Sequence, residues 1–319
     1  MTSTPAEQRA LVTGVSGFAG KHLAAQLVAS GWRVAGIANT RASGVTGVEE
    51  QKIDIADQAA LEYLIGEFAP RAVFHLAAIV DTVTTPSVLE LQRVNVLGVV
   101  AVTEAVRAAA PEARVIYPSS SFVYGSIAPE DNPVSEAQPL RPQTPYGAGK
   151  VAAEAIVRQY SSSTAPGNAV IARAFQHTGP GHTGAYALSD WAGQLAQIER
   201  SGEPGQIATG NLDVERDYLD VRDVAAAYVA LAQHGESGQT YNVCSGEAVT
   251  MRSLLEGLIA AFGVDAEIVT DEARLRAVDQ PRVVGDVSRL AADTGWSRKY
   301  SIEQTLADLA QFWRERGRL

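Results

Sequence analysis

The stretch VTGVSGFAGKHLAAQL, residues 12–27, ends a short apolar run and opens a helical pattern, with Gly14, Gly17 and Gly20 at the junction. Glycines there permit a tight turn and let the backbone approach a pyrophosphate, which the helix N-terminus attracts. The spacing is GxxGxxG and not the GxGxxG of the common dinucleotide fingerprint. Its position between a first strand and a first helix nevertheless predicts a dinucleotide site.

Strand and helix patterns alternate from this stretch to residue 175. Apolar runs predict strands at 9–14, 33–38, 51–55, 72–78, 113–120 and 168–175. Helical patterns cover 17–30, 57–68, 87–109 and 146–161. Continuous apolar strands alternating with helices indicate a parallel sheet covered on both faces. The sequence therefore predicts an α/β fold with a Rossmann-type doubly wound sheet.

The alternation stops after residue 175, where the Gly-rich segment QHTGPGHTG begins. Shorter helical patterns follow near 189–201, 221–234, 250–262 and 301–315, with brief strands such as QTYNVC at 239–244. We expect residues 1–175 to form a nucleotide-binding domain that carries the catalytic groups. Residues 176–319 are expected to form mainly a smaller, mixed α/β lobe for the substrate.

The composition of this 319-residue chain restricts its partners and its compartment. The net charge of −10 argues against a general nucleic-acid binder. The single cysteine, Cys244, excludes a disulfide framework and fits a reducing cytoplasm, and no His or second Cys lies near it to suggest a metal site. No secretory signal and no apolar run of about 18 residues is found. We expect a cytoplasmic protein without a membrane partner.

The loop after the second predicted strand contains Asn39, Thr40 and Arg41, and no acid occurs between Gly20 and Glu49. NAD sites usually place an acid about 20 residues after the glycines, where it binds the ribose 2′-hydroxyl. The polar loop residues can instead donate hydrogen bonds to a 2′-phosphate, which a carboxylate would repel. This pattern favours NADP(H) as the cofactor.

An ordered set of motifs resembles the extended short-chain dehydrogenases/reductases. After the glycines come FHLAA (74–78), Asn95, SSSFVYG (119–125), a YxxxK pair (146–150), RAFQHTGPG (173–181) and RDYLDVRDV (216–224). The later segments are most similar to the nucleotide-sugar branch, which includes GDP-mannose 4,6-dehydratases and GDP-4-keto-6-deoxymannose reductases. The resemblance covers nearly the whole chain.

The resemblance implies a catalytic triad of Ser120, Tyr146 and Lys150. Tyr146 and Lys150 lie one helical turn apart, so that both face the same side. Tyr146 would give its proton to a substrate carbonyl oxygen, and Ser120 would hydrogen-bond the same oxygen. The ammonium of Lys150 is expected to favour the phenolate and lower the pKa of Tyr146 towards neutrality.

The resemblance also implies the binding residues. The expected cofactor contacts are Gly14, Gly17, Phe18, Gly20, Asn39, Arg41, Asp54, Ile55, Leu76, Ala77, Ala78, Asn95, Tyr146 and Lys150. The expected substrate contacts are Ser121, Phe122, Gln176, Arg216 and Arg276, the two arginines being suited to a pyrophosphate. Gln176 replaces the usual Asn of the family motif. A homodimer through the 87–109 and 146–161 helices is expected as well.

Three reactions share this scaffold. Glucose-type 4,6-dehydratases of the family carry Asp and Glu directly after the catalytic Thr, whereas Ser121 and Phe122 stand there in this chain, and Phe cannot move a proton. A 4-epimerase keeps NAD bound and usually has the missing second-strand acid. We therefore predict NADPH-dependent reduction of the C4 ketone of a GDP- or dTDP-linked 4-keto-6-deoxyhexose. Epimerase or dehydratase activity, and a non-catalytic NADP-binding protein, are the alternatives.

Overall fold

The computed structural model describes residues 8–80, 87–162, 164, 167–184, 186–274 and 280–316. Arg276, one of the expected substrate residues, lies outside the described residues. In the described part of the chain, no helix combines the length and the apolar character that crossing a membrane requires.

The strands are numbered in chain order. They are β1 (Arg9–Thr13), β2 (Arg33–Ala38), β3 (Val48–Lys52), β4 (Ala72–His75), β5 (Arg114–Ser120), β6 (Asn168–Ala174), β7 (Gln176–Thr178), β8 (Gly205–Thr209), β9 (Glu215–Arg216), β10 (Tyr218–Asp220), β11 (Thr240–Val243), β12 (Val249–Thr250), β13 (Ala266–Thr270) and β14 (Arg282–Val283). Seven of these described strands form one parallel sheet in the order β11-β6-β5-β4-β1-β2-β3. This order confirms the predicted doubly wound α/β fold.

The α-helices are numbered in the same way. They are α1 (Phe18–Ala29), α2 (Gln58–Phe68), α3 (Val88–Gln92), α4 (Gly98–Ala109), α5 (Pro145–Tyr160), α6 (Ala187–Ser201), α7 (Val221–His234), α8 (Met251–Phe262), α9 (Ser288–Thr294) and α10 (Ile302–Arg316). A π-helical turn, Arg93–Leu97, joins α3 to α4, so the long helix predicted at 87–109 is interrupted at its centre.

Hydrophobic side chains cover both faces of the large sheet. On one face, Leu23 and Leu27 of α1 pack in one cluster with Leu231 of α7. On the other face, Leu61 of α2 and Val102 of α4 belong to a second cluster that also includes residues of α5. These side chains are almost completely buried, and burying one such Leu stabilises a fold by about 1.5–3 kcal/mol. The two layers explain why the strands read as continuous apolar runs.

The structure corrects two expectations about strands. The third strand was predicted at 51–55 but runs over Val48–Lys52, because it is an edge strand whose residues are largely exposed. QTYNVC was expected in the smaller lobe, but its strand β11 pairs in parallel with β6 and closes the far edge of the large sheet. Apolar periodicity identifies a strand without naming its partner, so this long-range pairing was missed.

The remaining elements form a smaller mixed α/β lobe. Its core joins α6, α8 and α10 with β8, around Leu195, Leu255 and Leu309. Three small sheets accompany it: β10 with β7, β9 between β12 and β14, and β13 with β8. Because β7 follows β6 after a single residue, this lobe begins beside the carboxyl end of the large sheet, where ligands bind in doubly wound folds.

Candidate active site

The carboxyl ends of β1 and β4 lie side by side, with Thr13 paired in register with His75. The chain leaves β1 towards one face of the sheet and β4 towards the other, which makes this pair the topological switch point. Thr13 Oγ1 accepts a hydrogen bond from the Ala77 backbone N–H at 3.1 Å and is hydrogen-bonded to His75 Nδ1 at 2.8 Å. The loop after β4 is thereby fixed beside the glycine turn.

The glycine turn requires residues without a side chain. Gly14 has φ +68°, and a Cβ on it would lie 2.7 Å from the backbone nitrogen of Ala77. A Cβ on Gly20 would overlap the carbonyl oxygen of Gly14. The first turn of α1 thus packs directly on the backbone of the glycine turn. Without side chains in the way, a dinucleotide pyrophosphate can approach the backbone N–H groups at the helix N-terminus. The residues present fit the expected cofactor at this position.

Other expected cofactor residues shape the surroundings of the cradle. Asn95, in the π-helical turn, accepts from the backbone N–H of Ile79 and donates to its carbonyl, both at 2.8 Å. It therefore holds the loop that contains Leu76, Ala77 and Ala78. π-Helical turns are frequent at functional sites.

The loops after β3 and β2 border the cradle. Asp54 accepts from the Ala56 backbone N–H and is paired with Arg93 at 3.1 Å, and these two contacts lower the pKa of its carboxyl. Ile55 is buried. After β2, Asn39 and Arg41 are exposed, as a contact with a 2′-phosphate would require. Glu50 of β3 holds this loop by accepting a hydrogen bond from the Ser43 backbone N–H at 2.9 Å.

Ser120, Tyr146 and Lys150 are brought together at the carboxyl end of β5. Thr144 caps α5 by accepting from the Gly147 N–H at 3.0 Å, and Tyr146 lies in the first turn. The Ser120 hydroxyl hydrogen-bonds the Tyr146 phenol. Lys150 Nζ donates to the Pro118 carbonyl at 2.7 Å and lies 5.8 Å from the centre of the Tyr146 ring.

Small residues in α5 allow this approach. A Cβ on Gly147 would lie 2.8 Å from the carbonyl oxygen of Phe122, and one on Gly149 would collide with the Gln92 side chain. Gln92 also donates to the Pro145 carbonyl at 2.8 Å. Gly147 therefore permits the close approach of α5 to the loop after β5, and Gly149 permits that of α5 to α3.

The expected lowering of the Tyr146 pKa is not present in this structure. Burial raises the pKa of Tyr146 to about 12, and the hydrogen bond from Ser120 opposes that change only in part. Burial also lowers the pKa of Lys150 to about 8, because the ammonium is removed from water. Lys150 directs its proton to Pro118 and not to the phenol. A neutral Tyr146 is the form that can donate a proton.

Of the expected substrate residues, Phe122 contacts the Tyr146 phenol ring. Phe122 packs edge-on against the Tyr146 ring with centroids 5.9 Å apart and remains 45% exposed, whereas its neighbour Ser121 is buried. Gln176, in β7, has a buried side-chain oxygen without a hydrogen-bond partner among the described residues. Arg216, in β9, donates to the Glu215 and Gln280 carbonyls at 2.8 and 2.7 Å.

A cluster of aromatic rings was missed by sequence reasoning. Phe18 stacks between His182 and His177, with centroid distances of 4.4 and 5.9 Å, and His22 meets it edge-on. His22 Nε2 is also hydrogen-bonded to the Pro180 carbonyl at 2.7 Å. The cluster joins the glycine turn to the HTGPGH segment of the smaller lobe. The two histidines of that segment, His177 and His182, are the sequence feature that could have indicated the cluster.

The chain matches the family described as GDP-mannose 4,6 dehydratase over residues 11–309. It belongs to this family. This chain is 35% identical to a GDP-6-deoxy-D-mannose reductase of Pseudomonas aeruginosa, over 98% of its own length and 99% of the relative. It is 31% identical to a UDP-glucose 4-epimerase of Mycolicibacterium smegmatis, over 97% and 99%.

Solved structures agree with this placement of the dehydratase-family chain. A structure of RMD from Pseudomonas aeruginosa complexed with NADPH is 34% identical, with a TM-score of 0.85 over 97% of this chain and 99% of that one. A putative epimerase from Burkholderia cenocepacia is 28% identical, with a TM-score of 0.86 over 97% and 98%. Family membership therefore identifies a nucleotide-sugar enzyme fold that serves several reactions.

Proposed function

We propose that this protein is an NADPH-dependent reductase that converts the C4 ketone of an NDP-4-keto-6-deoxyhexose, GDP-linked in the first instance, to a hydroxyl. The observation that carries the proposal is the hydrogen-bonded Ser120–Tyr146 pair with Lys150 beside it and Phe122 against the phenol. The P. aeruginosa relative named as a GDP-6-deoxy-D-mannose reductase, and the RMD structure complexed with NADPH, support it.

The residues of this chain supply the binding and the proton. Bound NADPH would supply a hydride to the C4 carbon of the ketone. Tyr146, held neutral by burial, donates its proton to the ketone oxygen as negative charge develops there. Ser120 donates a hydrogen bond to the same oxygen, and the Lys150 ammonium stabilises the resulting phenolate.

The cofactor contacts follow from the cradle. Gly14, Gly17 and Gly20 would lie against the pyrophosphate at the start of α1. Asn39 and Arg41 would hold the 2′-phosphate beyond β2. The loop at Ala77, fixed by Thr13, would flank the dinucleotide at the switch point.

Phe122 favours reduction over dehydration. A 4,6-dehydratase must remove a proton from C5 and expel the C6 hydroxyl, and both steps need acid–base groups beside C4. The side chain next to the phenol is an apolar ring that cannot transfer protons. An epimerase stays the second candidate, because the M. smegmatis relative has that activity in its name.

The two reactions are separated by cofactor stoichiometry. The purified protein is incubated with NADPH and either GDP- or dTDP-4-keto-6-deoxyhexose, and absorbance is followed together with the sugar product. We expect one NADPH consumed for each 6-deoxyhexose formed. In parallel, GDP-mannose, dTDP-glucose and UDP-glucose are incubated without added NADPH. Conversion of any of these would contradict the reductase proposal and indicate dehydration or epimerisation.

We also propose a homodimer through the helices at 87–109 and 146–161. On this side, Leu89 is 81% and Leu97 55% exposed, and α5 contacts both α3 and α4. Pairing with a second copy would bury these side chains. Light scattering should give twice the chain mass for the wild type and the mass of a monomer for Leu97→Asp. A monomeric wild type would exclude the dimer.

The roles of the two parts of the chain and its cellular location are proposals as well. Residues 1–175 would carry the cofactor and the triad, and residues 176–319 would mainly hold the nucleotide-sugar, with α7 and β11 returning to the first unit. A cytoplasmic location is proposed because Cys244 is a free, buried thiol. Cell fractionation of a tagged chain tests it, and recovery from an extracytoplasmic fraction would exclude it.

A further inference from the structure

Glu154 lies one helical turn after Lys150 and is almost completely buried, with 1% of its side chain exposed. Both of its oxygens are occupied. Oε1 accepts from Ser119 Oγ at 2.6 Å and from Arg173 Nε at 2.9 Å. Oε2 accepts from Arg173 Nη2 at 2.8 Å and from the half-exposed Arg158 at 3.3 Å. The carboxylate thus forms a fork-shaped ion pair with Arg173 in the interior.

These contacts join the elements that carry the catalytic triad. Glu154 is on α5 with Lys150, whereas Ser119 precedes Ser120 on β5. Arg173 stands opposite Ser119 in the register of β5 and β6. A displacement of α5 along the sheet would therefore disturb this ion pair together with the spacing between Lys150 and Ser120.

Stability alone is a weak reason for such a pair. Removing two charges from water costs several kcal/mol for each ion, and apolar replacement of a buried pair is often neutral or stabilising. Glu154 follows the buried Lys150 by one helical turn on the same face of α5, which points to an electrostatic purpose for the carboxylate.

The groups around Lys150 define that purpose. Tyr146 and Glu154 approach it from its own helix, α5. Strand β5 contributes the Tyr117 ring, whose centre lies 4.8 Å from Lys150 Nζ, and the Pro118 carbonyl. Strand β4 contributes the buried His75. His75 is neutral, since burial lowers its pKa to about 3. Among these described neighbours, Glu154 alone bears a formal negative charge. It raises the pKa of Lys150 against the effect of burial.

We infer that Glu154 is a positioning residue that keeps the Lys150 ammonium charged in its buried site and fixes it relative to Ser120. The inference deepens the proposed reduction and rests on it for its catalytic meaning. The charge of Lys150 itself can be measured without any substrate.

The test uses the four lysines of the chain, Lys21, Lys52, Lys150 and Lys299. The protein is prepared with ¹³C at lysine Cε, the Lys150 signal is assigned by its loss in Lys150→Arg, and all signals are titrated by NMR. In Glu154→Gln we expect the Lys150 midpoint to fall by roughly one pH unit or more, as loss of a charge about one helical turn away implies. The alkaline limb of kcat/KM should move by the same amount.

Two further variants separate charge from structure. Arg158→Gln removes the exposed partner of Glu154 and should leave the Lys150 midpoint unchanged. Glu154→Gln with Arg173→Gln removes both buried charges, so it avoids an unpaired arginine if the single variant folds poorly. Its Lys150 midpoint should still be lowered, but by less than in Glu154→Gln, because the positive charge of Arg173 that opposes protonation of Lys150 is lost as well. A wild-type midpoint in a folded Glu154→Gln protein or in the double variant would overturn the inference. Failure of the wild type to reduce any keto-sugar would instead refute the proposed function and leave the titration interpretable.

Discussion

Gly20 lies so close to the carbonyl oxygen of Gly14 that a Cβ on Gly20 would overlap it. The first turn of α1 is therefore packed directly on the loop that leaves β1. This contact brings the helix N-terminus, with its unpaired N–H groups, to the position where a pyrophosphate would bind.

Gly20→Ala should therefore abolish NADPH binding or weaken it at least tenfold, because α1 would have to move away from the turn. Fluorescence titration with NADPH measures this. Gly66→Ala is the matched control, since Gly66 is also inside a helix and a Cβ there meets only the Ala109 methyl, at 3.7 Å. That change should leave binding intact and stabilise the fold by up to about 1 kcal/mol. Equal binding by both variants would exclude the cradle assignment.

Arg41→Ala should raise the KM for NADPH by about tenfold or more and change the KM for NADH little, because only NADPH carries the 2′-phosphate. The comparison requires steady-state kinetics with both cofactors. Arg71→Ala serves as the control, since Arg71 is also exposed but precedes β4 at the opposite end of the sheet. A wild-type preference for NADH would show that this loop was interpreted wrongly.

Much of the large sheet could be predicted from sequence. The strand at 33–38 and the helix at 221–234 have the predicted bounds, because buried apolar periodicity is a local property. The π-helical turn around Asn95 was not predicted, since Asn95 accepts from and donates to the backbone of Ile79, a contact between distant parts of the sequence. Long-range pairing of β11 with β6 was likewise beyond the reach of a local pattern.

The proximity of the three expected catalytic side chains could be predicted from the sequence, whereas the electrostatics around them could not. The motif spacing brought Ser120, Tyr146 and Lys150 together as expected. The pKa of Tyr146 moved upwards instead of downwards because burial depends on side chains far away in sequence. The role of Glu154 was not predicted because it depends on hydrogen bonds with Arg173 and Ser119, which are on other elements.

Tyr146→Phe should lower kcat by about 10²–10⁴-fold, the usual contribution of a general acid, while NADPH still binds. The ring and its packing against Phe122 are retained, so that only the proton donor is lost. Turnover with the keto-sugar and NADPH titration measure the two effects. Tyr63→Phe, at a tyrosine that is 73% exposed on α2, should behave as wild type. Near-normal turnover by Tyr146→Phe would remove it from the mechanism.

Acid should unfold this protein through its buried histidines. Burial lowers the pKa of His75 and of His182 to about 3, from 6.5 in an unfolded chain. Their full stabilisation is present above pH 6.5 and is lost as the pH falls towards 3, because only the unfolded state takes up the protons. Each residue should account for a loss of about 2 kcal/mol between pH 7.5 and pH 5.

Urea unfolding at several pH values measures this loss. His75→Asn should reduce the slope of stability against pH in this range. His234→Asn, at an exposed histidine that ends α7, should leave the slope unchanged. A pH-independent unfolding free energy between pH 5 and 7.5 would contradict the prediction.

The pairing of β11 with β6 also governs how the chain can mature during synthesis. Until residue 243 has been made, the apolar strand β6 has an uncovered edge, and the surface of α1 lacks its neighbour α7. An exposed hydrophobic edge strand is a template for self-association. A nascent chain that stalls shortly after residue 175 would therefore be aggregation-prone and would need a chaperone. We therefore expect the nucleotide-binding unit to lose stability if it is excised at the point where its sequence pattern ends, because β11 and α7 would be missing.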